Sequence, residues 1–163
     1  MRIMGIDPGL HRTGYGVIDA QGRQYALVAA GDVRPPLREA LAHRLDVLHH
    51  ALAELLTQHH PEVVVLEMLY THQQHVTTAA LMAHARGMAC LAAEQHGLPL
   101  VEYSPNRVKK AITGHGTAGK EQVARMVAQW LGQRDASWSF DATDALALAI
   151  AHAQMESAVV SAR

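Results

Sequence analysis

Val63-Val64-Val65-Leu66-Glu67 is the stretch on which the fold turns. Four consecutive apolar residues, bounded by Pro61 and closed by an acid, have the length of a strand and are apolar on both faces. Such a strand needs cover on both sides, which is the situation at the centre of an α/β sheet. Working toward the N-terminus, Leu37, Leu41, Leu45, Leu48, Leu52 and Leu55 recur at three- and four-residue steps. They predict an amphipathic helix of about five turns, which His60-Pro61 stops. Before it, Ile3 to Asp7 is a short apolar run ending at Pro8-Gly9, hence a strand and a turn. Thr13 to Asp19 and Gln24 to Val33 read as two more strands, joined by a hairpin at Ala20-Gln21-Gly22.

Working toward the C-terminus, Ala79 to His96 predicts a second helix closed by Gly97, and Leu98 to Tyr103 a fifth strand. Helices follow over Pro105 to Ile112, Lys120 to Leu131 and Asp141 to Gln154. A glycine-rich loop, Thr113 to Gly119, separates the first two. The order βββαβαβααα predicts an α/β protein with one five-stranded mixed sheet and helices on both faces. Residues 1–155 are expected to form one domain, with 156–163 as a flexible tail.

Bulk composition narrows the function classes. The 163 residues are 49% hydrophobic and 18% charged, as in a soluble globular protein, and no apolar run is long enough to span a bilayer. Met1 to Asp7 lacks the apolar stretch and cleavage site of a signal peptide, so a cytoplasmic location with no membrane partner is expected. The single cysteine, Cys90, excludes an internal disulfide. Its Ala-rich surroundings predict a buried, inert thiol. Of the twelve histidines, His49-His50 and His59-His60 are adjacent pairs that cannot share a helix face, and most of the twelve are expected to be solvated surface. Net charge is -1, yet between Tyr103 and Arg134 six basic residues stand against one acid, Glu121. That segment has the local charge of a nucleic-acid contact.

Four carboxylates carry the chemistry. Asp7 and Glu67 close the first and fourth strands, and sites in open α/β sheets form at such strand ends. Asp141 and Asp144 are three residues apart, so they share a helix face, and both fall in a first helical turn that favours anions. Asp7 alone reads equally well as a turn cap, and Asp141 alone as an N-cap. Asp144 lies inside Ala142-Thr143-Asp144-Ala145-Leu146-Ala147-Leu148, where a buried unpaired acid costs several kcal/mol. Glu67, at the end of an apolar strand, raises the same difficulty. Hard oxygen donors suit Mg²⁺ or Mn²⁺. Two such ions about 4 Å apart activate water and stabilise the leaving oxygen in phosphodiester hydrolysis.

Gly5-Ile6-Asp7-Pro8-Gly9 with Thr13-Gly14-Tyr15-Gly16, Glu67 after its apolar strand, and Ala85-Arg86-Gly87 form one set of motifs. Val108-Lys109, Gly116-Thr117-Ala118 with Lys120, and Asp141 to Ala147 complete it. Together they resemble the crossover junction endodeoxyribonuclease RuvC family, the Holliday junction resolvases, over roughly residues 2 to 155. The resemblance implies an RNase H-like fold, a homodimer, and Mg²⁺-dependent cutting of two like-polarity strands of a four-way junction. It also implies work beside the RuvA and RuvB branch-migration proteins. It puts the catalytic, metal-holding acids on Asp7, Glu67, Asp141 and Asp144, a base-stacking aromatic on Tyr70, and DNA-contacting lysines on Lys109 and Lys120. Thr71 to Thr78 departs from the family, whose members usually carry a Lys-Asn pair there. Gln73 and Gln74 are the candidate contacts in that stretch.

Taken alone, Tyr70 reads better as an aromatic packed on the domain edge with its hydroxyl wet; the resemblance reverses that order in favour of base stacking. Arg107, Lys109 and Lys110 sit at a helix start, where the dipole disfavours cations. Phosphate tracking supplies a reason for them, against an ordinary solvated basic face. Helix-start N–H groups and the Gly114 to Gly119 loop offer further phosphate donors. Arg86 is left between DNA and an internal acid. The helix Ala79 to His96, with Leu81, Met82, Met88 and Leu91, is a candidate dimer face as well as a core element. The residues argue against three rivals: an actin-like kinase needs a second lobe, a pure junction binder gains nothing from four acids facing phosphates, and the Asp141 to Ala147 segment with the paired lysines speaks for the RuvC type over the YqgF type of nuclease.

Overall fold

The computed structural model describes residues 1–68, 76–133 and 137–161. Its strands are β1 (Arg2–Asp7), β2 (Thr13–Gln21), β3 (Gln24–Val33), β4 (Val63–Glu67) and β5 (Leu100–Tyr103). Its helices are α1 (Leu41–His59), α2 (Val76–Gln95), α3 (Pro105–Thr113), α4 (Lys120–Trp130) and α5 (Phe140–Ser161). The five strands form one sheet in the order β3-β2-β1-β4-β5. β1 pairs antiparallel with β2, and β2 with β3. β1 pairs parallel with β4, and β4 with β5.

The apolar run of β4 is split between two cores. Val63 and Val65 face the layer that contains Leu146 and Ile150 of α5, while Val64 and Leu66 face Leu48 and Leu52 of α1 and Ala89 of α2. Strand side chains alternate, so Ile3 shares the α5 face and Met4 and Ile6 the α1 face. Continuing that parity, Asp7 and Glu67 point to the α5 side. Ile6 is aligned with Leu66, so the two acids leave adjacent parallel strands side by side.

α5 lies directly on the sheet because β1 and β2 carry glycines beneath it. A Cβ on Gly5 would stand 1.9 Å from the Ala145 carbonyl oxygen, and one on Gly14 would stand 2.1 Å from that of Asp141. Gly14 is itself the cross-strand partner of Asp7. The glycines of this N-terminal motif therefore serve helix-on-sheet contact. The start of α5 is fixed as well. The Ser139 hydroxyl accepts the Ala142 N–H at 3.0 Å, a capping bond, and donates to Asp32 at the end of β3 at 2.5 Å.

Several boundaries differ from expectation. Leu37 is 57% exposed and precedes α1; the backbone there turns back on itself, with Glu39 N–H on the Pro36 carbonyl. The β2–β3 turn is Gly22-Arg23, with Gln21 already paired to Gln24 and Gly22 at φ 59°. β5 starts at Leu100, because the Leu98 N–H closes α2 on the Ala93 carbonyl and Pro99 has none to give. α5 continues past Gln154 to Ser161, and the Ser157 hydroxyl reaches back to the Ala153 and Gly22 carbonyls. Cys90 is half-buried against the α1–α2 core rather than enclosed. His152 is an exception among histidines expected mostly at the surface: it is only 5% exposed and bonds the Tyr103 hydroxyl at 2.8 Å. No helix of the described residues is long and apolar enough to cross a membrane.

Candidate active site

Asp7, Glu67 and Asp144 line one recess of about 330 Å³, together with Lys109 of α3 and Lys120 of α4. Three parts of the chain meet there: the ends of β1 and β4, the first turns of α5, and the α3–α4 edge. Asp141, one helical turn before Asp144, lines a neighbouring recess with the β1–β2 loop. Met82 of α2 borders both.

Electrostatics in the recess are unbalanced. Burial pushes the Asp7 carboxyl up to about 7, and Asp144, Glu67 and Asp141 add to the rise against Lys120. Glu67 is raised by burial and then by Asp144, with Lys109 and Lys120 opposing. Asp144 is raised by burial and Asp141, and is held back chiefly by Lys120. Each of these acids is therefore short of positive charge in the free protein. The nearest cations take what they can reach: Lys120 Nζ lies 3.8 Å from Asp144, and Arg12 lies 3.4 Å from Asp141.

Among the described residues, no three His, Cys, Asp or Glu side chains stand as a ready metal cage. The donor set nevertheless fits a hard divalent cation. It is all carboxylate oxygen, it is concentrated at converging strand and helix ends, and its ionised form is destabilised until positive charge arrives.

Arg86 of α2 has a defined place. One guanidinium nitrogen donates to the Glu67 backbone carbonyl and another pairs with Glu102 of β5. It therefore ties the end of β4 to β5 and α2, which resolves the choice left open by its sequence position in favour of an internal acid. The basic candidates separate. Lys109 and Lys120 are in the recess. Arg107 instead lies 5.0 Å above the Tyr103 ring centroid, a cation–π contact. Lys110 is exposed and outside the recess lining. Tyr70, Gln73 and Gln74 lie outside the described residues. Arg12 was not anticipated from the sequence. It stands alone in a loop, and only the fold brings it to Asp141.

An RNase H-like sheet with carboxylates gathered at its strand ends and on the helix across it is the framework of a metal-dependent nuclease. The family model for crossover junction endodeoxyribonuclease RuvC matches residues 3–152. The chain belongs to that family. The RuvC of Halorhodospira halophila is 47% identical over 161 residues, covering 99% of this chain and 95% of that protein. The RuvC of Bradyrhizobium diazoefficiens is 44% identical over 153 residues, covering 94% and 86%. Among solved structures, Thermus thermophilus RuvC in complex with a Holliday junction substrate superposes with a TM-score of 0.91 at 34% identity. That match covers 98% of this chain and 96% of the other.

Proposed function

We propose that the protein resolves four-way DNA junctions by cutting two strands of like polarity symmetrically, with Asp7, Glu67, Asp141 and Asp144 as the catalytic centre. The observation that carries this reading is the shared recess of Asp7, Glu67 and Asp144 with Lys109 and Lys120 at its edge. The recess thus offers negative charge for divalent cations beside positive charge for a DNA backbone. Two Mg²⁺ or Mn²⁺ ions held by the four acids fit the donor chemistry. When bound, they supply the charge that activates water and stabilises the leaving oxygen.

The chain's own part is positioning. Asp7 and Glu67 are held by adjacent strands, so their separation is set by sheet spacing. Asp141 and Asp144 are held by a capped helix seated on Gly14. Lys109 and Lys120 hold backbone phosphates on one side of the acids, and Lys120 moves from Asp144 to a phosphate as DNA arrives. In the reaction, water oxygen bonds to phosphorus, the bond to one ester oxygen breaks, and the leaving oxygen gains a proton. Tyr70 stacks on an unpaired base near the crossover, and Arg107, Lys110, Gln73 and Gln74 are outer DNA contacts.

A homodimer matches the two-fold substrate with two equal centres. α2 is the candidate face, because Leu91 is 44% exposed and a Cβ on Gly87 would meet open space. Leu81 and Met88 of the same helix are instead packed into the α1–α2 core. The protein works in the cytoplasm beside RuvA and RuvB. The test is incubation with a synthetic four-way junction and Mg²⁺ or Mn²⁺. Paired nicks at symmetric positions are expected, and no cutting with either metal refutes the reading.

A further inference from the structure

The four acids do not all open into one recess. Next to the recess that holds Lys109 and Lys120, and sharing Met82 with it, a second recess of about 380 Å³ is lined by Gly9, His11, Arg12, Leu81, Met82 and Asp141. Among the described residues, its one guanidinium is that of Arg12, which is 42% exposed and held by the 35%-exposed Asp141 at 3.4 Å. The loop presenting it is firmly placed. Leu10 is buried at 2% exposure, its carbonyl accepts from Arg44 of α1 at 2.8 Å, and the Thr13 hydroxyl donates to the Gly9 carbonyl at 2.8 Å. The arrangement echoes the neighbouring recess, where Lys120 is paired with Asp144. Each exposed cation is parked on one of the two α5 acids.

The two recesses adjoin at Met82, and the acids Asp141 and Asp144, one helical turn apart, stand one in each. We propose that a DNA strand laid across the acids spans both recesses and that Arg12 is a phosphate ligand for it, flanking the cut in the recess next to that of Lys109 and Lys120. In the free protein, Asp141 holds the guanidinium. When DNA binds, Arg12 exchanges this carboxylate for a backbone phosphate, a bidentate partner well suited to a guanidinium. The exchange frees Asp141 as an oxygen donor at the same moment. The inference rests on the reading of the acids as a nuclease centre and adds a second recess to its DNA path.

The experiment measures junction binding across a range of salt concentrations, in chelator so that nothing is cut, for the wild type, Arg12→Ala and Arg12→Lys. Loss of one phosphate contact flattens the plot of log affinity against log salt by about 0.9. Arg12→Ala is expected to show that change and weaker binding at low salt, with Arg12→Lys keeping the wild-type slope. Calorimetric titration of the DNA-free protein with Mn²⁺ is the second measurement. Arg12→Ala is expected to bind Mn²⁺ at least as tightly as the wild type, because a competing cation has gone. An unchanged salt slope overturns the proposal. So does a tenfold loss of Mn²⁺ affinity, which would make Arg12 a support that orients Asp141. A wild type that binds junction no better than linear duplex refutes the junction reading instead, and leaves the slope comparison intact on duplex DNA.

Discussion

In Asp7→Asn protein freed of divalent cations, a half-buried carboxylate surrounded by three others is replaced by a neutral amide. The Asp7 carboxyl sits at about 7 in the folded protein against an ordinary 3.8. Between those two pH values the folded state keeps a proton that the unfolded chain has released. Wild-type stability therefore falls as pH rises through that window, and the loss is complete above about pH 7. At roughly 1.36 kcal/mol per pKa unit, the ionised group costs the fold about 4 kcal/mol at alkaline pH. The buried amide gives back roughly 1–3 kcal/mol of this if it finds no partner. The variant should then be more stable than the wild type by roughly 1–3 kcal/mol, or about 2–10 °C in Tm for a domain of this size. The assay is thermal unfolding in EDTA at about pH 8.5 and again at about pH 2.5. Below the ordinary carboxylate range both states of the wild type are protonated, so the advantage should disappear, and an unpartnered amide should leave the variant the less stable by roughly 1–3 kcal/mol. Cutting of a four-way junction should be lost while binding is kept. A variant whose Tm at alkaline pH equals or falls below that of the wild type would refute the electrostatic account of this centre.

Gly14→Ala should destabilise the fold by about 3 kcal/mol and depress cutting, because the new methyl meets the Asp141 carbonyl oxygen at 2.1 Å. Thermal unfolding and a junction-cleavage rate read the two effects. Arg86→Ala removes the donor to the Glu67 carbonyl and the partner of Glu102. It should cost roughly 2 kcal/mol in urea denaturation and lower kcat more than junction affinity, with partial rescue by Arg86→Lys. Lys109→Ala should weaken junction binding and flatten its salt dependence by about 0.9 in slope, and an unchanged slope would remove Lys109 from the DNA path.

The legible part of the fold is the part written as periodicity. The run Val63 to Leu66 announced a two-sided strand, and the leucines from Leu41 to Leu55 announced α1. Glu67 and Asp144 stood out because acids in apolar surroundings need a reason. What stayed hidden depends on distances between elements. Gly5 and Gly14 stood in a recognisable motif, but nothing near them in the chain points to α5, which rests on them. His152 gave no signal among the alanines of α5, although its partner Tyr103 comes from another element. Arg86 was visible as a motif, but its acceptor is a backbone carbonyl, which no side-chain pattern encodes. Arg12 lies in a loop without periodicity, and its meaning comes only from the later helix that brings Asp141 alongside.

The seating of α5 on Gly5 and Gly14 joins the first strands of the protein to its last helix. A ribosome makes the two halves of the acid centre far apart in time. A nascent chain that has emerged only through α4 already carries Asp7, Glu67, Lys109 and Lys120, but Asp141 and Asp144 are still missing. Closure of the last helix over the glycines is therefore the event that brings the four acids together, and a copy that stops short of it lacks two of them.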